Sequence, residues 1–229
     1  EKLMEKINHA RKYAKDFNIL TRLYQYYALY ILYIPIFSLF YRFKCSRNKT
    51  LEKKPYIFAA NHISYCDPFL MNMVTVRPLA YMAKKELYEV RGNFGKWVAT
   101  NISRLGGFSV NREKLEVSTI KTCRDLFKAN FNLCIFPQGG IRKNKKIEEI
   151  NKGFVVIAKM VKADIVPVGL SGLETYNWNI FKFFKRPVVN LNMGTPISYK
   201  LSEEEIIQNW REQVAKLTGY ELADIQAKQ

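Results

Sequence analysis

Tyr56-Ile57-Phe58-Ala59-Ala60-Asn61-His62-Ile63-Ser64-Tyr65-Cys66-Asp67-Pro68 is the stretch on which both fold and chemistry turn. Residues 56–60 form a short apolar run of the kind that makes a buried strand. Residues 69–74 read as a helix, with Asp67 suited to its N-cap and Pro68 to its first turn. His62 therefore leaves a strand end and Asp67 begins a helix. Five residues apart, they cannot share a helix face, so a turn must bring them together. Strand-to-helix turns at strand C-termini are where open α/β sheets place their ligand sites.

The same alternation continues outward. Strand-like runs fall at 56–60, 79–83, 107–110, 133–136, 165–170 and 188–193. Helix-like runs lie between them, including 115–129, with Leu115, Ile120, Cys123, Leu126 and Phe127 at helical spacing, and 154–161. Ser202-Glu203-Glu204-Glu205 is a capping box opening a last helix that runs towards Gly219. Strands alternating with helices predict an α/β fold, a largely parallel sheet flanked by helices. Residues 51–229 are expected to form this domain, entered through the polar linker Leu51-Glu52-Lys53-Lys54-Pro55, and residues 1–50 a helical membrane-anchoring segment.

That first segment has two parts. Residues 1–17 are charged and read as a helix, with His9 in solvent. The chain opens on Glu1 without an initiator methionine, which leaves open whether residues precede it. Residues 23–41 carry no charge over 19 positions and lie between Arg22 and Arg42. The length suits a membrane span, but Pro35 would kink it, and its six tyrosines belong at a headgroup interface. A kinked hairpin lying in one leaflet, with flanking Lys and Arg at anionic headgroups, fits better than a straight span. A core helix of a soluble domain would show a polar face, which this stretch lacks.

The 229 residues carry a net charge of +17, and 48% of them are hydrophobic, which excludes a disordered chain and favours an anionic partner. Nucleic acid would satisfy the charge but gives no reason for an uncharged 23–41 stretch, so an anionic membrane surface is the expected partner. Cys45, Cys66, Cys123 and Cys134 form no CxxC pair, and neither a disulfide framework nor a metal site is expected.

An imidazole held by a carboxylate is a general base, because the carboxylate fixes the tautomer and stabilises the imidazolium. A cap with a packed ring, and a thiol enzyme using Cys66 beside His62, are the competing readings of the same stretch. Further candidates end later strands. Lys84 follows the second strand, and Arg112 follows Gly106-Gly107-Phe108-Ser109-Val110-Asn111. Phe136-Pro137-Gln138-Gly139-Gly140-Ile141-Arg142 ends a fourth strand with glycines whose backbone N–H groups can meet an anion. Ile165-Val166-Pro167-Val168-Gly169-Leu170 is an apolar strand whose proline suggests an edge or a bulge.

In this order, over residues 56–170, these stretches resemble the four motifs of the glycerolipid acyltransferases, notably the 1-acylglycerol-3-phosphate acyltransferases. Asn61, His62 and Asp67 resemble the first, His-x-x-x-x-Asp, and Lys84 matches the lysine of Ala-Lys-x-Glu-Leu. Gly106 and Arg112 stand at the spacing of Gly-x-x-Phe-x-x-Arg, with Ser109 at the phenylalanine position and Phe108 one residue early. The third resembles Phe-Pro-Glu-Gly-Thr-Arg, with Gln138 for the glutamate and Gly140-Ile141 in place of the threonine, which displaces Arg142 by one. The resemblance implies acyl transfer from a thioester to the free hydroxyl of a lysolipid, most readily 1-acylglycerol-3-phosphate, at the cytoplasmic face of an inner membrane. His62 and Asp67 would be catalytic. Lys84, Arg112, Gln138, Gly139, Gly140 and Arg142 would bind substrate. No metal or other cofactor is implied. Acyl carrier protein or coenzyme A would bring the acyl group as donor substrate. Since the third motif goes with the acceptor, Gln138 leaves open another lysolipid or a glycolipid.

Overall fold

The computed structural model describes residues 19–48, 51, 53–75, 77–89, 92–110, 116–175 and 185–224. The expected helix at 1–17, His9 and Arg112 lie outside the described residues.

Helices α1 (Ile19–Tyr27) and α2 (Ile34–Ser38) are joined by a π-helical stretch, Ala28–Tyr33. Strands β1 (Arg42–Ser46) and β2 (Ile57–Ala60) follow, then the short α3 (Asp67–Leu70), which tightens into a 3₁₀ turn at Met71–Met73. Next come β3 (Leu79–Lys84), a 3₁₀ turn (Lys85–Tyr88), α4 (Gly92–Arg104) and β4 (Gly107–Val110). Then α5 (Val117–Lys128), β5 (Asn132–Ile135), β6 (Lys146–Ile147) and α6 (Gly153–Val161) lead to β7 (Ile165–Ser171). The described chain ends with β8 (Val188–Met193), α7 (Glu203–Thr218) and β9 (Glu221–Leu222). The capping box at Ser202 and the left-handed Gly219 stop of α7 are as the sequence predicts.

The sheet runs β1-β8-β7-β2-β5-β3-β4. All pairs are parallel except β7–β8, so β8 and β1 run against the other five strands. β2 sits at the centre between β7 and β5, and all four of its residues are buried. Its alternating side chains divide the core. Ile57 and Ala59 join Cys123, Leu126, Phe154, Val155 and Trp210 on the face covered by α5, α6 and α7. Phe58 and Ala60 join Phe37, Tyr41, Ile63, Leu70 and Met71 on the other. The result is three layers, helix on sheet on helix, with β2, β3, β4, β5 and β7 ending at one edge.

Several expectations shift. β1 lies before the expected boundary at residue 50, yet it pairs with β8 in the main sheet, Arg42 opposite Val188. Its burial pattern is mostly exposed, so hydrophobicity gives no strand signal there. The proline of β7 marks neither an edge strand nor a bulge. Pro167 stands beside Ala59 of the central strand, and its carbonyl accepts from Gly194 N–H at 2.8 Å, just past the end of the β7–β8 ladder. The helix expected at 69–74 is one α-turn followed by a 3₁₀ turn.

The segment at 23–41 is helical but not uniformly apolar in its surroundings. Thr21, Gln25, Ala28, Leu29 and Phe37 are buried against the domain. Gln25 Nε2 donates to the carbonyls of Leu79 at 2.6 Å and Leu105 at 2.9 Å, which ties α1 to the start of β3 and the end of α4. The opposite face exposes Leu20 at 69%, Leu23 at 57% and Ile31 at 64%, with Tyr27 and Tyr30 alongside. Among the described residues, no helix is long and apolar enough to cross a membrane.

Candidate active site

Beyond Ala60 the chain leaves β2 and turns tightly into α3. Asn61 fixes the first step. Its side-chain amide donates to Leu170 C=O at 2.9 Å and accepts from Leu170 N–H at 2.7 Å, which extends the β2–β7 pairing by one rung made from a side chain. Asp67 closes the turn. It is not the N-cap the sequence suggests but the first residue of α3, after Cys66. Its carboxylate points back into the loop, where Oδ2 accepts from Ile63 N–H at 2.7 Å and Ser64 N–H at 2.8 Å.

The same oxygen lies 2.8 Å from His62 Nδ1. With both backbone donors on Oδ2, Nδ1 is the third donor, and Nε2 is left for another partner. Asp67 is fully buried, and among the described residues Oδ1 has no hydrogen-bond partner. Burial pushes its carboxyl above the ordinary range, against the lowering pull of His62, Ser64 and Ile63. The imidazole is 13% exposed and stacks on Phe136, ring centroids 4.3 Å apart. Phe136 was legible as part of a motif but not as the ring's support, because stacking across adjacent strands has no local sequence signal.

His62 lines a cavity of about 670 Å³. Phe69, Met82, Leu87, Ile102, Leu105 and Phe136 make it mainly apolar, with Lys84, Gly140 and Ile141 also on its walls. Gly107 lines it as well, and a Cβ there would lie 2.4 Å from Ile102 Cγ2, so only glycine fits. Of the sequence candidates, the structure thus brings His62, Asp67, Lys84 and Gly140 together. Lys84 is half exposed, with Nζ 3.7 Å from Glu86. Gly139 takes a left-handed φ of +70°, which turns the chain after β5. Arg142 approaches through its backbone, N–H to His62 C=O at 2.7 Å, while its side chain is 54% exposed and lies 3.8 Å from Glu148. Gln138 is nearly buried, and its Oε1 accepts the His62 backbone N–H at 2.8 Å. Cys66 is partly buried, and burial raises its thiol above the ordinary range, which disfavours a thiolate nucleophile.

The family model "Acyltransferase" matches residues 42–171, more than half of the chain. The chain is 34% identical over 161 residues to the 1-acyl-sn-glycerol-3-phosphate acyltransferase of Streptococcus pneumoniae, covering 68% of this chain and 56% of that protein. It is 29% identical over 143 residues to the enzyme of the same name from Bacillus subtilis, covering 62% and 66%. The chain thus spans between about half and two thirds of the length of these curated relatives. The crystal structure of the 1-acyl-sn-glycerophosphate (LPA) acyltransferase PlsC from Thermotoga maritima has the same fold, with a TM-score of 0.53 at 19% identity over 76% of this chain and 70% of that one. The family match runs from the first strand of the sheet to the end of β7 and takes in the whole His62–Asp67 turn, and on that ground the chain belongs to the acyltransferase family.

Proposed function

We propose that the protein transfers a fatty acyl group from a thioester to the free hydroxyl of a lysolipid, with 1-acylglycerol-3-phosphate as acceptor and phosphatidic acid as product. The observation that carries the chemistry is the 2.8 Å contact between His62 Nδ1 and the buried Asp67 carboxylate, on the wall of a mainly apolar cavity. Asp67 holds the imidazole with its proton on Nδ1. Nε2 takes the proton of the acceptor hydroxyl as that oxygen attacks the thioester carbonyl. The C–S bond breaks, and the imidazolium returns its proton to the departing thiolate. The Gly139 N–H is taken by the Phe136 carbonyl at 3.1 Å, so another backbone N–H of the loop after β5, or a bound water, is the candidate to stabilise the oxyanion. The reaction needs no metal or other cofactor, and acyl carrier protein or coenzyme A would deliver the acyl group.

The cavity volume lies within the roughly 300–1,000 Å³ usual for small-molecule sites, and its apolar lining suits an acyl chain. Lys84 ends β3, Arg142 lies beyond β5, and Arg112 comes after β4 in sequence; these are the cations proposed for the acceptor's phosphate. The names of the curated relatives support that acceptor. The exposed apolar face of α1 and its π-helical extension is proposed to lie in one leaflet, with the basic surface at anionic headgroups, on the cytoplasmic side.

One assay tests this reading. Purified protein is given lysophosphatidic acid and a neutral lysolipid, each with acyl-carrier-protein and coenzyme A thioesters, and products are identified by mass. Phosphatidic acid is expected. Product from the neutral lysolipid alone would reject the acceptor.

A further inference from the structure

Carrying the β2–β5 register past its end singles out one side chain. Ile57 stands opposite Leu133 and Ala59 opposite Ile135, a constant offset of 76, after which the ladder stops. Continued three residues, the same offset sets His62 opposite Gln138. There the partner of the His62 backbone N–H is no main-chain carbonyl but the side-chain Oε1 of Gln138, at 2.8 Å. On the other flank of β2, the Asn61 amide makes a comparable rung with Leu170. The His62 carbonyl is taken by Arg142 N–H at 2.7 Å. Four bonds thus hold the Asn61 side chain and the His62 backbone, from β7 on one flank and from the chain beyond β5 on the other, just where the imidazole is aimed at Asp67. Gln138 is 9% exposed, and the cavity wall is formed by its neighbours Phe136, Gly140 and Ile141 rather than by its own side chain.

We infer that Gln138 is a positioning residue for His62: its side-chain oxygen replaces the missing ladder carbonyl and fixes the backbone that aims the imidazole, and it does not contact the acceptor. This rests on His62 being the base. The role requires an acceptor oxygen at glutamine's reach and does not require an amide. Glutamate supplies that oxygen at the same distance, as a stronger acceptor. Asparagine keeps the amide but falls short by one methylene, about 1.5 Å.

The test compares purified wild type, Gln138→Glu, Gln138→Asn and His62→Ala with lysophosphatidic acid and an acyl-coenzyme A. Gln138→Asn should lose about 10- to 100-fold in kcat with KM for lysophosphatidic acid unchanged, since small misplacements of a catalytic group cost that much. Gln138→Glu should recover most of the lost rate. Amide hydrogen exchange at His62 supplies a readout that needs no turnover: protection falls in Gln138→Asn and persists in Gln138→Glu. A raised KM with kcat intact in Gln138→Asn would make Gln138 an acceptor contact and overturn the inference. Unchanged His62 exchange in Gln138→Asn would overturn it as well. Activity surviving in His62→Ala would instead remove the base, while the exchange data would still decide whether Gln138 holds the His62 backbone.

Discussion

The Tyr33 ring lies over the Phe69 ring with centroids 4.3 Å apart and planes 20° from parallel. Tyr33 ends the π-helical stretch after α1, and Phe69 lines the cavity that holds His62. The apolar helix and the candidate active site therefore meet at one aromatic contact. Leu23→Glu with Ile31→Glu should abolish co-sedimentation with anionic vesicles, because each places a charge on the exposed apolar face. Neither side chain is part of the core, so thermal unfolding should shift little. Undiminished sedimentation of this double variant would put the lipid contact elsewhere.

His62→Ala should leave the fold intact and reduce transfer by about 10²–10⁴-fold, the usual contribution of a positioned acid–base group. Cys66→Ala should keep its rate, since partial burial raises its thiol above the ordinary range and disfavours a thiolate. Steady-state rates of both proteins with the same thioester separate the two chemistries. The opposite pattern, with His62→Ala active and Cys66→Ala dead, would restore the thiol reading.

Asp67→Asn separates stability from activity. The asparagine oxygen can still accept from Ile63 and Ser64, while a neutral side chain no longer favours the imidazolium. Transfer should fall by about 10²-fold or more. The fold should respond in the other direction. Burial raises the folded-state pKa of Asp67, so the protonated form is the one the fold favours. Its contribution to stability is fully present below the unfolded carboxylate pKa and is lost as pH rises through the raised folded value. The stability difference between wild type and Asp67→Asn should therefore move in the variant's favour as pH climbs out of the carboxylate range. A variant that loses stability steeply at neutral pH would show that the charge itself holds the turn together.

What could be read from the sequence follows from how local each signal is. β2, β7 and β8 are runs of apolar or alternating residues, and α7 carries its own cap at Ser202 and stop at Gly219, so periodicity and end signals suffice for them. β1 escaped because Arg42, Lys44 and Ser46 are exposed and its strand character comes from the distant β8. The same distinction holds at the site. His62 and Asp67 lie five residues apart and were visible as a pair. Their supports were not, since Gln138 and Phe136 arrive from β5 more than seventy residues later and Leu170 from β7. Only strand order reveals that a motif glutamine faces a backbone N–H.

Arg142 tests the acceptor. Its backbone N–H is committed to the His62 carbonyl, a bond that side-chain truncation leaves in place. Its side chain is 54% exposed and, among the described residues, makes a long 3.8 Å approach to Glu148, which leaves it open to an anion. Arg142→Ala should therefore leave the geometry around His62 unchanged and weaken phosphate binding alone. Because the side chain is largely solvated, the effect should be modest, on the order of 1 kcal/mol, or about a fivefold rise in KM for lysophosphatidic acid. KM for a neutral lysolipid should not move. Raising the ionic strength should shrink the difference between wild type and variant, since an exposed charge is screened over about 10 Å at 0.1 M salt. Equal KM increases for charged and neutral acceptors would mean that Arg142 shapes the loop after β5 rather than reading the phosphate.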